Sequence, residues 1–133
     1  MPAVADTHAL IWYLTNDSTL SQAAKNILEA ADAGLDTVFI PTAVIVEAIQ
    51  IAGRKNVPKD FLQLLLDKVD APTSGFRLVE LDRDIAEDTI RFQGTKAGNP
   101  IDRIVGSTSV VKGMDVLTRD SCLRDVLTNV IVP

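Results

Sequence analysis

The sequence predicts an α/β fold in which a parallel sheet is covered by helices on both faces, and three observations lead there. Short apolar runs of strand length alternate with longer segments of helical periodicity. Proline and glycine punctuate the junctions between them. At 133 residues and 47% apolar content, the chain has enough apolar side chains to build a real core. A single domain over 1–133 is therefore expected.

Residues 3–5 read as a short buried strand that hands over to a helix over about 7–14. A second helix spans about 21–33, with Leu20, Ala24, Ile27, Leu28 and Ala31 at core spacing and Gly34 as its stop. A strand over 37–40 follows, and Pro41 opens a helix that runs to about Ala52. Pro58 starts the next helix, through about Val69, and 70–75 is a loop. Then come a strand over 77–81, a helix over 83–92 and a polar loop over 93–98. Asn99 and Pro100 begin a helix that ends near Lys112 and Gly113. A strand over 115–118, a short helix over 121–126 and a last strand over 129–132 complete the chain. In such folds the reactive crevice lies beyond the carboxyl ends of the strands.

No repeat or low-complexity segment interrupts this order, and the charged fraction of 23% is ordinary. The first residues lack a basic leader, and the apolar runs are far shorter than the roughly 20 residues of a membrane span. A cytoplasmic protein without membrane association is expected. The single cysteine, Cys122, cannot form an internal disulfide, which fits a reducing compartment. A net charge of -5 argues against a broad basic surface for sequence-independent nucleic-acid binding. The charge is uneven, however. From Arg91 to Asp125 six basic residues face four acids, leaving seven basic against fourteen acidic residues elsewhere, so a local phosphate-facing edge is compatible with the composition.

Four acids draw attention at the predicted junctions. Asp6 stands where the first strand meets the first helix, and a helix N-cap explains it equally well. Glu47 lies in mid-helix among Val44, Ile45, Val46, Ala48 and Ile49, where no cap accounts for it. A buried carboxylate there needs a partner, whereas an exposed one would share a polar stripe with Gln50 and Arg54. Asp102 occupies the first turn of the helix begun by Asn99 and Pro100, where an acid also complements the helix dipole. That helix is roughly 20 Å long and the following strand returns beside it, which brings Asp102 next to Asp120. Asp120 follows a strand and precedes a short helix. Together, the four acids fall on one edge of one sheet, where their repulsion calls for a cation. An oxygen-rich set of this kind selects Mg²⁺ or Mn²⁺ over Zn²⁺, and such ions activate water against phosphodiesters.

The segments 5–12 (Ala-Asp-Thr-His-Ala-Leu-Ile-Trp), 46–49 (Val-Glu-Ala-Ile), 99–103 (Asn-Pro-Ile-Asp-Arg) and 117–120 (Leu-Thr-Arg-Asp) together resemble the PIN domain, specifically the VapC-type toxins of toxin–antitoxin pairs. The resemblance covers essentially the whole chain. It implies a three-layer α/β/α sandwich with a parallel sheet of about five strands. It also implies an Mg²⁺- or Mn²⁺-dependent endoribonuclease that hydrolyses RNA, forms a homodimer and is inhibited by a small cognate antitoxin whose C-terminal tail fills the active-site groove. By position, Asp6, Glu47, Asp102 and Asp120 correspond to the family's acidic quartet, at once catalytic and metal-binding. Thr7 and Thr118 correspond to hydroxyls that order the site. Relatives with this opening often carry an acid before the proline of the third motif, and here Asn99 stands in its place.

Arg103, Arg119 and Arg124 flank the acids and are the residues placed to hold substrate phosphates or an acidic partner, unless they are solvated surface charge. His8 reads as a packing or surface histidine ahead of a general base, since a metal activates water without it. Trp12 and Tyr13 read as core or interface residues, and Cys122 lacks a histidine that would make it a nucleophile. Two other functions fit fewer of these features. A phosphohydrolase with Asp6 as nucleophile wants a second acid two residues on, where His8 stands. A non-catalytic PIN-like binding module would be expected to have lost part of the quartet.

Overall fold

Five short strands pair in parallel in the order β3-β2-β1-β4-β5. The structure, a computed structural model, describes residues 2–96 and 99–133. In chain order the elements are β1 (Ala3–Ala5), α1 (Thr7–Leu14), α2 (Gln22–Asp32), β2 (Val38–Pro41), α3 (Thr42–Ile51) and α4 (Phe61–Asp70). They continue with β3 (Phe76–Val79), α5 (Arg83–Asp88), a 3₁₀ turn (Thr89–Phe92), α6 (Pro100–Lys112), β4 (Asp115–Leu117), α7 (Ser121–Val126) and β5 (Val130–Ile131). The expected α/β/α architecture and its five parallel strands are therefore what the chain builds. Residues 97–98 of the loop expected over 93–98 lie outside the described residues.

The layers follow from the strand order. From β1 the chain moves outward to β2 and β3, then crosses back over β1 to reach β4 and β5. Right-handed crossovers in opposite directions put α1 to α4 on one face and α5 to α7 on the other. The helix contacts follow this for the most part: α1 meets α2, α3 and α4, while α6 meets α5 and α7 and also reaches α3. The central β1 is buried from end to end, and Phe61, Phe76, Phe92, Leu10, Leu28 and Ile40 fill the space between sheet and helices. Each such side chain contributes about 1.5–3 kcal/mol through burial.

Local chemistry sets the boundaries. Helix α6 starts where Asn99 accepts from the Asp102 amide at 3.0 Å and Pro100 fills the first turn. It stops at Gly113, whose φ of 66° is the left-handed conformation glycine adopts without cost. In the middle of α6, Gly106 lets the helix close on its neighbours: a Cβ there would meet Phe92 at 2.9 Å and Leu123 at 3.0 Å. The separation of α6 from α7 is thereby small.

Several boundaries differ from the sequence expectation; β3, expected over 77–81, spans Phe76–Val79, and β5, expected over 129–132, spans Val130–Ile131. Pro41 ends β2, paired with Val79, and the helix begins one residue later. Pro58 does not open α4; its carbonyl accepts from the Phe61 amide in a turn, and the helix begins at Phe61. The helix expected over 83–92 is α-helical only to Asp88 and tightens into the 3₁₀ turn that carries buried Phe92 into the core.

Candidate active site

Parallel register brings the first two acids together. Ala5 pairs with Leu117, and the Asp6 amide donates to the Leu117 carbonyl at 3.0 Å. The segments that leave β1 and β4 therefore start side by side at the point where the chain's winding reverses. Asp6 caps α1, accepting from the Ala9 amide at 2.8 Å, and Asp120 caps α7, accepting from the Leu123 amide at 2.9 Å. Between them, the buried Thr118 hydroxyl accepts from the Asp120 amide at 3.1 Å and hydrogen-bonds the Asp6 carboxylate. Asp6 is thus an N-cap, as one reading of the sequence had it, and the same residue lines the cavity.

Helices from the two faces complete the set. Where α3 meets α6, Glu47 is buried with only 9% of its surface exposed, which rules out the polar-stripe alternative. Asn99 Nδ2 donates to Glu47 Oε2 at 3.0 Å while Asn99 Oδ1 caps α6. Asn99 thus ties Glu47 to the start of the helix that carries Asp102. Asp6, His8, Glu47, Asn99, Asp102, Arg119 and Asp120 line one cavity of about 220 Å³.

The electrostatics of the cavity are those of four acids held together with a single arginine, Arg119, on the wall. Burial pushes the Asp6 carboxyl up against hydrogen bonds from Ala9, Thr118 and Arg119 that favour its ionised form. Burial and the charges of Asp120, Glu47 and Asp6 push Asp102 up to about 6. Burial, then the charge of Arg119, lowers the His8 imidazole despite the pull of Asp6 and Glu47, so it is neutral at pH 7. No ion pair among the described residues involves any of the four acids.

A hard divalent cation fits this donor set. Four carboxylates, none of them in an ion pair among the described residues, are the kind of ligands that Mg²⁺ and Mn²⁺ favour. Beside Asp6, the Thr7 hydroxyl is buried without a hydrogen-bond partner, a polar atom still to be satisfied. Among the described residues no group of three or more His, Cys, Asp or Glu side chains is arranged to hold an ion as it stands. The acids share a cavity; they do not form a closed shell. An open set of this kind is compatible with Mg²⁺, which keeps several waters and binds through few carboxylates.

Of the expected arginines, only Arg119 lines this cavity. Arg103 borders a separate depression with Leu81, Ala86 and Thr89, and Arg124 is exposed on α7. Two residues were underweighted by sequence reasoning: His8, which lines the cavity, and Asn99, whose bond to Glu47 spans 52 positions. A larger groove of about 560 Å³ lies elsewhere, bordered by Trp12, Tyr13, Asp32 and Lys68. Its size does not make it the reactive site, because its acids are already engaged: Asp32 accepts from Tyr13 and Lys68, Asp17 accepts from the Thr19 amide, and Glu29 faces Lys25.

Fold and cavity define an α/β sandwich protein with an acidic pocket at the switch point of its sheet. Residues 3–127 match the PIN domain, and the chain belongs to that family. It is 27% identical over 124 residues to ribonuclease VapC22 of Mycobacterium tuberculosis, a match that covers 90% of this chain and 87% of that protein. Its fold is shared with VapBC2 from Rickettsia felis, solved bound to a promoter DNA fragment, at a TM-score of 0.68 and 14% identity over 100% of this chain and 98% of the other. A toxin–antitoxin complex from Klebsiella pneumoniae gives a TM-score of 0.67 and 23% identity over 98% and 97%. No helix among the described residues is long and apolar enough to cross a membrane.

Proposed function

We propose that this chain is a divalent-metal-dependent endoribonuclease, the toxin of a toxin–antitoxin pair, acting in the cytoplasm. The observation that carries the reading is the convergence of Asp6, Glu47, Asp102 and Asp120 on one cavity with no described cation paired to any of them. With Mg²⁺ or Mn²⁺ bound there, the site would gain Lewis-acid chemistry for activating water and offsetting charge on the phosphodiester. The four acids would hold the ion. Thr118 orients Asp6 and Asp120 through its hydroxyl, and Asn99 orients Glu47. Arg119, on the cavity wall, meets the phosphate of the RNA.

The relatives support the partners of this reading. Ribonuclease VapC22 supports RNA as the substrate, and the toxin–antitoxin complexes support a small antitoxin as the inhibitor. Self-association as a homodimer belongs to the same proposal. Purified protein is expected to cleave RNA with Mg²⁺ or Mn²⁺ and to lose that activity with EDTA. Asp6→Asn and Asp102→Asn are expected to abolish cleavage and relieve any growth arrest on expression. Unchanged cleavage by both variants would overturn the reading.

A further inference from the structure

Arg119 is bound to more than the cavity. Its guanidinium carbon sits 5.3 Å from the centre of the Trp12 ring, within cation–π range. Trp12 lies four residues after His8 on α1, so the two side chains share one face of the helix a turn apart. His8 lines the acid cavity and feels the charge of Arg119. The backbone of Arg119 is fixed at the same place, between Thr118 and Asp120, with its amide hydrogen-bonded to Asp6. The side chain thus runs from the centre of the site back over α1, where Trp12 receives it.

This arrangement answers an electrostatic difficulty. A phosphodiester approaching four acids is repelled, and a cation at the cavity edge offsets that repulsion only if it stays there. An exposed arginine has many rotamers, and a flat aromatic face restricts them to a few. Resting on the proposed nuclease function, we infer that Trp12 is a positioning residue that holds Arg119 at the cavity mouth as the phosphate-binding arm for single-stranded RNA. The pair Trp12 and Arg119 forms one functional unit, in which the ring orders the guanidinium and the guanidinium meets the phosphate. Trp12 itself borders the neighbouring 560 Å³ groove, so the unit stands on the ridge between the two cavities.

The test compares Trp12→Ala, Trp12→Phe, Arg119→Ala and the double variant Trp12→Ala/Arg119→Ala, using a randomised fluorescent single-stranded RNA with Mn²⁺. Initial rates against RNA concentration separate KM from kcat, and anisotropy against KCl gives the salt dependence of binding. Arg119→Ala is expected to raise KM about tenfold with little change in kcat, and to lower the logarithmic salt slope by about 0.7 for the lost phosphate contact. Trp12→Ala should raise KM about three- to fivefold, the size of a partly exposed cation–π contact, and Trp12→Phe should recover most of it. The double variant should be no worse than Arg119→Ala alone.

Additive effects in the double variant would overturn the inference. So would a Trp12→Ala protein that melts lower yet keeps the parent's KM and salt slope, since that is the signature of a packing residue. If the parent protein cuts no RNA with Mg²⁺ or Mn²⁺, the nuclease reading falls and takes this inference with it. Cleavage with an independent Trp12 removes the inference alone.

Discussion

Two groups of acids in this molecule are treated in opposite ways. Asp32, at the end of α2, accepts from the Tyr13 hydroxyl at 2.6 Å and from the Lys68 ammonium at 2.7 Å. Burial alone would raise its carboxyl, but the bonds from Lys68 and Tyr13 outweigh it and the net direction is downward. In the cavity at the carboxyl ends of β1 and β4, burial and like charges push Asp102 up to about 6. An acid that serves the fold carries its counter-charge with it. On the proposed function, an acid that serves chemistry is left for something outside the chain to neutralise, and its titration is disturbed accordingly.

The largest separation between the two regions is expected in activity. Asp102→Asn should lower the rate of Mn²⁺-dependent RNA cleavage by about 10³-fold or more, the scale of charge stabilisation by a metal. Asp32→Asn, whose carboxylate is remote from the quartet's cavity, should leave kcat within about twofold on the same reasoning. Comparable losses in both variants would erase the distinction.

Asn99 sharpens it next, because it belongs to both structure and site. Asn99→Ser keeps a side chain that caps α6 but loses the donor to Glu47. Cleavage should fall about 10- to 100-fold, as for other groups that orient metal ligands, while the melting temperature changes little. Asn99→Ala loses the cap as well and should cost about 1 kcal/mol of stability in addition. A Ser variant with the parent's rate would make Asn99 a cap and nothing more.

How much of this was legible in the sequence differs between backbone and side chains. Helix α6 was readable to the residue because Asn99, Pro100 and Gly113 are local signals that act within one turn. The helix over 121–126 was equally plain. Pro58 misled because a proline suits a turn as well as a helix start, and the choice was made by Phe61 entering the core. The positions of the four acids were legible because parallel α/β winding dictates where strand ends lie. The Asn99 bond to Glu47, the satisfaction of Asp32 and the stacking of Arg119 on Trp12 were not. Each joins side chains from separate segments, and no local propensity encodes which rotamers meet.

Stability is expected to move in opposite directions in the two regions. In EDTA at pH 7, Asp102→Asn removes a charge that burial and its neighbours disfavour, and should stabilise the protein by about 1 kcal/mol after allowance for partial exposure. Activity and stability are exchanged at this residue. Asp32→Asn weakens the attachment to Lys68, which is 36% exposed, and should destabilise by about 0.5–1 kcal/mol. Thermal melts of the two variants beside the parent protein decide the signs.

The smallest effect is the pH dependence of those differences, and its sign follows from proton counts. For Asp102 the unfolded carboxyl titrates near 3.8 and the folded one near 6, so between these values the folded protein holds more protons. Its stability therefore falls as pH rises from about 4 to about 6. The advantage of Asp102→Asn should be absent near pH 4, open across that window and stay constant above it. For Asp32 the folded value lies below the unfolded 3.8, so its contribution is full above that value and is lost as pH falls through the folded one. The deficit of Asp32→Asn should accordingly shrink only in more acidic solution. Melting curves in EDTA at half-unit steps from pH 3 to 7 check both. An Asp102→Asn advantage as large at pH 4 as at pH 7 would mean that this carboxyl is not disturbed by its neighbours, and the contrast between the two groups of acids would fail at its electrostatic root.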